Sequence, residues 1–277
     1  MARPKPRPKP RATARASSPG LARPARPASS RSRRAAAAPP ARAVRGRPLR
    51  PLAPPEQPLE ARTERALRAA LCAAGRRLSE VGLIGAAEGN LSARRTDGTF
   101  LMTPSGIAKG ALRPGDLLVI DQRGQVVEGH GRPSTDLRLH LAAYAARPEL
   151  AAAVHAHPLT AVALTVAEVG WPDDLVAESV VTLGQVAVAP FAVPGTQDVA
   201  ESVAPFLAGH DVILLARHGA LCLGATVAEA VDRMETLERV ARIAVMARAA
   251  GRCEPLGADQ VDAVLRAAGR RPRGSVP

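Results

Sequence analysis

The 277-residue sequence is poor in cysteine and in aromatic residues, and it has no long apolar run. Its three cysteines form no CxxC pair, which argues against a disulfide scaffold or a zinc ribbon and favours a reducing, cytoplasmic environment. No stretch of about 18 apolar residues predicts a membrane-spanning helix. No charged-then-apolar leader opens the chain, so we expect neither secretion nor a membrane partner.

Two phosphate-binding motifs are also missing. The chain contains neither GxxxxGK[ST] nor GxGxxG, so nucleotide-binding folds built on those loops are not supported. Lysine is scarce as well, because Lys109 is the only lysine beyond residue 9. Its context, GIAKGAL, predicts an exposed turn, whereas a Schiff-base mechanism needs a desolvated lysine.

Positive charge is concentrated in the first 57 residues. This segment holds 15 of the 38 basic residues, one acidic residue and 13 of the 26 prolines, while the remainder is nearly neutral. Such a composition cannot bury enough apolar surface to fold, so we predict a disordered basic extension over 1–57. A solvated extension is favoured over a nucleic-acid-binding arm, because aromatic stacking residues are absent. Any contact of this extension with nucleic acid is expected to be nonspecific.

The remainder, 58–277, alternates between helical and strand patterns and predicts one α/β domain. Apolar spacings of three and four predict a helix from about 58 to 81, and Ser134 is a plausible N-cap for a second helix. Further helices are predicted from Pro158, over about 196–208, 226–249 and 258–268. Strands are predicted at 100–103, 116–120, 125–129, 151–157, 186–190 and 211–219.

Three histidines are candidate metal ligands. His155 and His157 are one residue apart on a predicted strand, so their side chains point to the same face and can chelate one cation. His218 lies at the end of another predicted strand and supplies a third imidazole. Three histidines with an open fourth position are typical of catalytic zinc, although satisfied core histidines are an equally ordinary explanation of the pair.

Asp136 is the carboxylate that we select as a partner for such a metal. It opens a predicted helix in the run RPSTD, where it could act as a proton acceptor or as a further ligand. The alternative is an ordinary first-turn acid, stabilised by the helix dipole by about 0.3–1 kcal/mol.

Small hydroxyl and amide side chains cluster ahead of the histidine pair. The runs GNLS (89–92), TPSG (103–106) and PST (133–135) each place such side chains beside exposed backbone N–H groups. Each run alone is a common turn. Together they predict a neutral cradle for phosphate oxygens.

The order and spacing of these motifs resemble the class II aldolase/adducin family. The similarity runs through GNLSAR, FLMTPSGI, PSTDLRLHLAAYAARPELAAAVHAH, PGT and LLARHGAL, over about residues 60–250. It is greatest to the L-fuculose-phosphate aldolases of that family. The resemblance implies a three-layer α/β/α fold with a central mixed, mostly antiparallel sheet, a homotetramer and a divalent metal, usually zinc.

The resemblance also assigns roles to individual residues. It implies that the three histidines bind the metal and that Asp136 takes the place of the aldolase's catalytic glutamate. It implies that phosphate is bound by Asn90, Ser105, Gly106, Ser134 and Thr135. A phosphorylated ketose would then be cleaved to dihydroxyacetone phosphate and an aldehyde through a metal-stabilised enediolate.

Two departures from the family pattern keep other activities open. The family's 4-epimerases carry Asp at position 136 as a metal ligand, so a pentulose-5-phosphate 4-epimerase is one alternative. The aldolase's proton-donating tyrosine, which aligns near 176–178, is missing, and Tyr144 is the only tyrosine. A non-catalytic, adducin-like binding protein is the third possibility, but such proteins lose the metal histidines.

Overall fold

The computed structural model describes residues 63–271. The predicted extension over 1–57 and the expected start of the domain at Pro58 lie outside these residues. Within this range the α-helices are α1 Glu64–Glu80, α2 Leu137–Ala146, α3 Leu159–Val166, α4 Gln197–Leu207, α5 Val227–Ala250 and α6 Ala258–Ala267. The strands are β1 Asn90–Arg94, β2 Phe100–Met102, β3 Leu118–Ile120, β4 Val126–Glu128, β5 Ala152–Ala156, β6 Val186–Ala189, β7 Val212–Leu215 and β8 Gly219–Gly224.

The strands form one eight-stranded sheet in the order β4-β3-β2-β1-β5-β8-β7-β6. Neighbouring strands are antiparallel, except that β6 and β7 run parallel. The expected mixed, mostly antiparallel sheet is therefore confirmed.

Helices cover both faces of this sheet. Side chains of α1, α3 and α5 pack on one face, and those of α2 and α4 pack on the other. Strand β5 contributes to both layers, since Val154 points to the first core and Ala153 to the second. This arrangement is the three-layer α/β/α architecture. None of the helices within residues 63–271 combines the length and apolar character that crossing a bilayer requires.

Two strands were not predicted from the sequence. The run that contains β1 was expected to be a turn and a polar stretch, yet it pairs with β2 and β5. Its Asn90 and Ser92 are polar but buried, which hides the strand from a hydropathy pattern. Strand β8 is rich in glycine, alanine and cysteine, and it is buried between β5 and β7. Its small residues carry little strand propensity of their own.

The predicted exposed turn around Lys109 is wrong. Its side chain is 1% exposed, and its amine donates hydrogen bonds to the carbonyl oxygens of Ala87 at 2.9 Å and Ile107 at 2.8 Å. Burial lowers the pKa of this amine. Gly75 of α1 leaves space for the Lys109 backbone, because a Cβ at position 75 would lie 2.5 Å from the Lys109 carbonyl oxygen. Lys109 therefore joins the loop before β1 to the loop after β2.

Replacing Lys109 by Met should destabilise the protein by about 2–4 kcal/mol, because two buried carbonyl groups lose their donor. Urea denaturation would measure the loss. The control is Arg113→Met, which removes an exposed cation nearby and should change the free energy of unfolding by less than about 0.5 kcal/mol. Equal stability of the two variants would contradict a joining role for Lys109.

Candidate metal centre

Three imidazoles converge where β5 ends and β8 begins. His155 lies in β5, His157 follows its last residue, and His218 lies in the turn between β7 and β8 rather than on a strand. Ala156 pairs with Ala220 in the antiparallel register of β5 and β8, which brings that turn beside the end of β5. One candidate ligand atom from each histidine lies within 4.8 Å of the other two.

Hydrogen bonds orient two of the rings. The Nδ1 atom of His155 lies 3.0 Å from the carbonyl oxygen of Ala220, and because a carbonyl can only accept, Nδ1 carries the proton. Its Nε2 atom is therefore unprotonated and directed at the cluster. The Nδ1 atom of His157 lies 3.4 Å from the Glu88 carboxylate, which favours the same tautomer.

This geometry fits a divalent transition metal. The Nε2 atoms of His155 and His157 are 3.2 Å apart, and in the tautomers that Ala220 and Glu88 favour both present a lone pair to the same point. Nitrogens at 2.0–2.1 Å from a tetrahedral zinc ion would be separated by about 3.3 Å. The buried Nδ1 atom of His218 also has no hydrogen-bond partner among the described residues. A shared cation would satisfy all three rings.

The protonation states are those that ligation needs. Burial lowers the pKa of His155 to about 3, although the Asp136 carboxylate opposes the shift. Burial and the neighbouring His157 ring also lower the pKa of His218. Both rings are therefore neutral at pH 7, and neutral imidazole is the form that binds metal.

Asp136 lies beside the histidines as the N-cap residue of α2. Ser134, the expected N-cap, instead accepts a hydrogen bond from the Asp136 backbone N–H at 3.2 Å. The Oδ2 atom of Asp136 lies 3.8 Å from His155 Nε2 and accepts a hydrogen bond from Asn90 at 2.8 Å. Burial opposes ionisation, but attraction to the His155 ring when that ring is protonated, and the hydrogen bond from Asn90, outweigh it and lower the pKa of this carboxyl. Its Oδ1 atom is buried and has no hydrogen-bond partner within the described range.

Two of the hydroxyl-bearing loops are tied together. The N–H of Ser105 donates to the Arg132 carbonyl at 2.9 Å, and Pro104 forms a β-bridge with Pro133. Ser105, Gly106 and Thr135 remain exposed, and Ser134 is half-buried. These four residues thus form an accessible group, whereas the Asn90 side chain is buried against Asp136 and His140. Phosphate binding by any of the five stays a prediction.

Some residues around the centre were not anticipated. Glu88 beside His157 carries no pattern that marks it. His140 lies beside Leu137, Leu141 and Tyr144 on a predicted helix face, and that pattern predicts only core packing. Gly219 directly follows His218, and a Cβ there would lie 2.5 Å from the Ala156 carbonyl oxygen and 2.7 Å from the His157 ring. In the sequence, the dipeptide His-Gly is the one sign of this crowding, because glycine is favoured where the backbone approaches its neighbours closely.

Comparison with known proteins now identifies the family. The family described as Class II Aldolase and Adducin N-terminal domain matches residues 69–245, a range that includes every strand and all three histidines. The chain belongs to the class II aldolase and adducin family. The resemblance drawn from the motifs is thereby confirmed.

Individual members of the class II aldolase and adducin family resemble the chain over most of their length. The 3-oxo-tetronate 4-phosphate decarboxylase of Cupriavidus necator is 35% identical over 185 residues, 65% of this chain and 84% of that protein. The 5-methylthioribulose-1-phosphate/5-deoxyribulose-1-phosphate aldolase of Rhodospirillum rubrum is 32% identical over 203 residues, 72% and 90% respectively. The crystal structure of L-fuculose-1-phosphate aldolase from Thermus thermophilus is 35% identical, covers 69% of this chain and 98% of that chain, and has a TM-score of 0.60. These relatives are named for different phosphorylated substrates, so membership does not select one.

Replacing Gly219 by Ala should weaken zinc binding at least about tenfold, since the added Cβ displaces the ligand rings. Competition with a chromogenic chelator would measure the affinity. Gly115→Ala is the matched control, because nothing lies within 4 Å of a Cβ at that position. Equal zinc affinity in both variants would refute the assigned geometry.

Proposed function

We propose that this protein is a metal-dependent lyase that cleaves a carbon–carbon bond of a small phosphorylated keto sugar or keto acid and releases dihydroxyacetone phosphate. The observation that carries the proposal is the convergence of three histidines within 4.8 Å, beside a buried carboxylate. Membership of the class II aldolase and adducin family supports the same reaction class.

His155, His157 and His218 would hold the metal, and three nitrogen donors with one open position suit zinc. The bound metal supplies Lewis acidity to the substrate oxygens, which lowers the cost of the negative charge that develops on them. The chain itself sets the ligand orientation, because Ala220 and Glu88 hold the distal ring nitrogens of His155 and His157.

Asp136 would transfer the proton. When the carbon–carbon bond breaks, its electron pair stays on the dihydroxyacetone phosphate carbon, which must then be protonated. The carboxylate takes a proton from water and passes it to that carbon, so it is ionised again after each turnover. The hydroxide left behind accepts the proton that the substrate hydroxyl loses when an aldehyde forms, and it is released when carbon dioxide is the leaving group. Ser105, Gly106, Ser134 and Thr135 would bind the phosphate and so hold the reacting carbon near Asp136.

Two leaving groups are compatible with this common step. In an aldolase, the substrate is a ketose 1-phosphate such as L-fuculose 1-phosphate or 5-deoxyribulose 1-phosphate, and an aldehyde leaves. In a decarboxylase acting on 3-oxo-tetronate 4-phosphate, carbon dioxide leaves and the other product is again dihydroxyacetone phosphate. Both kinds of relative are about equally similar to the chain.

The scarcity of tyrosine supports decarboxylation as a second candidate reaction. An aldehyde oxygen must exchange a proton as the bond breaks or forms, whereas loss of carbon dioxide has no such requirement. The single tyrosine, Tyr144, is buried and hydrogen bonded to Ser92, and burial raises the pKa of its hydroxyl. It is therefore unsuited to proton exchange with an aldehyde.

The two remaining alternatives have less support. A pentulose-5-phosphate 4-epimerase would use Asp136 as a fourth ligand, and the 3.8 Å contact with His155 keeps that use open. A non-catalytic, adducin-like protein would not need the complete histidine group. The homotetramer implied by the resemblance is part of the proposal, and the exposed apolar side chains of Leu159, Phe191 and Val193 offer surface for assembly.

A substrate panel tests the proposal. Zinc-loaded protein should release dihydroxyacetone phosphate from L-fuculose 1-phosphate, 5-deoxyribulose 1-phosphate or 3-oxo-tetronate 4-phosphate, as detected by a coupled dehydrogenase. Carbon dioxide release separates the decarboxylase, and sugar analysis of L-ribulose 5-phosphate detects epimerisation. Treatment with EDTA should abolish turnover and zinc should restore it, because the metal supplies the Lewis acid.

Borohydride, which traps a Schiff base by reduction, tests the competing mechanism. It should not inactivate the enzyme in the presence of dihydroxyacetone phosphate, because Lys109 is buried and donates to two carbonyls. Turnover that survives EDTA, together with borohydride inactivation, would instead identify a Schiff-base enzyme.

Replacing Asp136 by Asn should lower kcat by about 10²–10⁴-fold with the zinc content unchanged, because the group that transfers the proton is lost. Loss of zinc would support the epimerase-like ligand role instead. Asp198→Asn is the control, since Asp198 lies in the first turn of α4 and is exposed. If both variants keep full activity, Asp136 has only a helix-start role.

A further inference from the structure

Polar side chains of α2 and β1 meet in the layer between helix and sheet. Asp136, His140 and Tyr144 recur every four residues along α2, and Asn90 and Ser92 occupy alternate positions of β1. Four helical residues advance about 6 Å and two strand residues about 6.7 Å. The two rows therefore stay in step. Asn90, His140 and Ser92 each lie between two side chains of the other row, and Asp136 and Tyr144 lie at the ends.

Four hydrogen bonds connect the rows into one buried chain, here called the Tyr144–Asp136 chain. Its members apart from Asp136 are at most 3% exposed. Its bonds, in order, are Tyr144 hydroxyl to Ser92 Oγ at 2.8 Å, Ser92 Oγ to His140 Nδ1 at 2.7 Å, His140 Nε2 to Asn90 Oδ1 at 2.5 Å, and Asn90 Nδ2 to Asp136 Oδ2 at 2.8 Å.

The hydrogen bonds of the Tyr144–Asp136 chain have a single consistent direction of donation. An ionised carboxylate only accepts, so the Asn90 amide must present its N–H to Asp136 and its oxygen to His140. His140 must then donate from Nε2. Burial lowers the pKa of His140 to about 4, so the ring is neutral and its Nδ1 accepts from Ser92. The Tyr144 hydroxyl donates in turn to Ser92.

Reversing any bond breaks its neighbours. If the Asn90 amide turned over, its oxygen would face the carboxylate and its N–H group would face the Nε2 proton of His140. Because these side chains are buried, no bulk water is available to relieve those contacts. The tautomer of His140 and the orientation of the Asn90 amide toward Asp136 are therefore coupled, and each requires the other.

We infer that His140 is a positioning residue, which holds the Asn90 amide and thereby the Asp136 carboxylate in place for proton transfer. Tyr144 is the anchor at the far end of the chain. The inference rests on the proposed function for its catalytic meaning, but the tautomer of His140 is testable without turnover.

Paired substitutions of His140 test the role in catalysis. His140→Gln can place an amide nitrogen at the position of Nε2 and keep the donor to Asn90, whereas His140→Asn reaches only the position of Nδ1. With the substrate that the panel identifies, His140→Asn should lower kcat by about 10–100-fold at unchanged zinc content, and His140→Gln should recover most of the loss. KM should change less than about threefold in both, since Asp136 acts on the reacting carbon.

His210→Asn is the control, because that histidine is bonded to the Phe206 carbonyl, outside the chain. Equal losses in the Gln and Asn variants, or full kcat in His140→Asn, would overturn the inference. If neither His140 variant folds, Ser92→Ala replaces them, and it should lower kcat without loss of zinc. Unchanged kcat in folded Ser92→Ala would also overturn it.

Nitrogen-15 NMR of the zinc-loaded wild-type protein provides the readout that needs no substrate. His140 should show a protonated Nε2 and an unprotonated Nδ1 at pH 7. The reverse tautomer, or a doubly protonated ring, would refute the hydrogen-bond order of the Tyr144–Asp136 chain. If no substrate on the panel is turned over, the proposed function fails, and this measurement still decides whether the chain exists.

Discussion

The Nε2 atoms of His155 and His157 lie 3.2 Å apart, and the rest of the site is arranged around this contact. Ala220 and Glu88 lie against the Nδ1 atoms of the two rings. In the tautomers that these partners favour, both Nε2 atoms present lone pairs to one point, where a shared cation would bind. Burial keeps the His155 ring neutral at pH 7, so its Nε2 atom keeps its lone pair. The fold thus maintains an arrangement that fits a divalent metal.

The neighbouring carboxylate is held by a second buried polar system. Asp136 receives its hydrogen bond from Asn90, and Asn90 pairs in register with His155 across β1 and β5. One strand pair therefore places a candidate ligand beside the residue that donates a hydrogen bond to the Asp136 carboxylate. Lys109 donates hydrogen bonds to backbone carbonyls of two loops, one before β1 and one after β2. Ligands, carboxylate and hydroxyl-bearing loops are in this way connected through buried hydrogen bonds, which are costly to break.

Within residues 63–271 the sequence predicted all six α-helices and six of the eight strands, because their apolar spacings are regular. It did not predict β1 or β8. Strand β1 has buried polar residues and strand β8 has small residues, so neither carries a hydropathy signal. The same difficulty affected individual side chains. Lys109 was expected to be exposed and His140 to be simple core packing, since nothing local to either residue specifies its hydrogen-bond partners.

The amino-acid sequence alone determined the family, the candidate ligands and the carboxylate, because these are matters of residue type and order along the chain. Only the tertiary structure decided which ring nitrogens are free, which way the Asn90 amide faces and how Lys109 is used. Those properties depend on distances between residues that lie far apart in the chain, as with His155 and His218, or Asn90 and His140. Hydrogen bonds act over about 3 Å, and that separation is set by the packing of strands and helices.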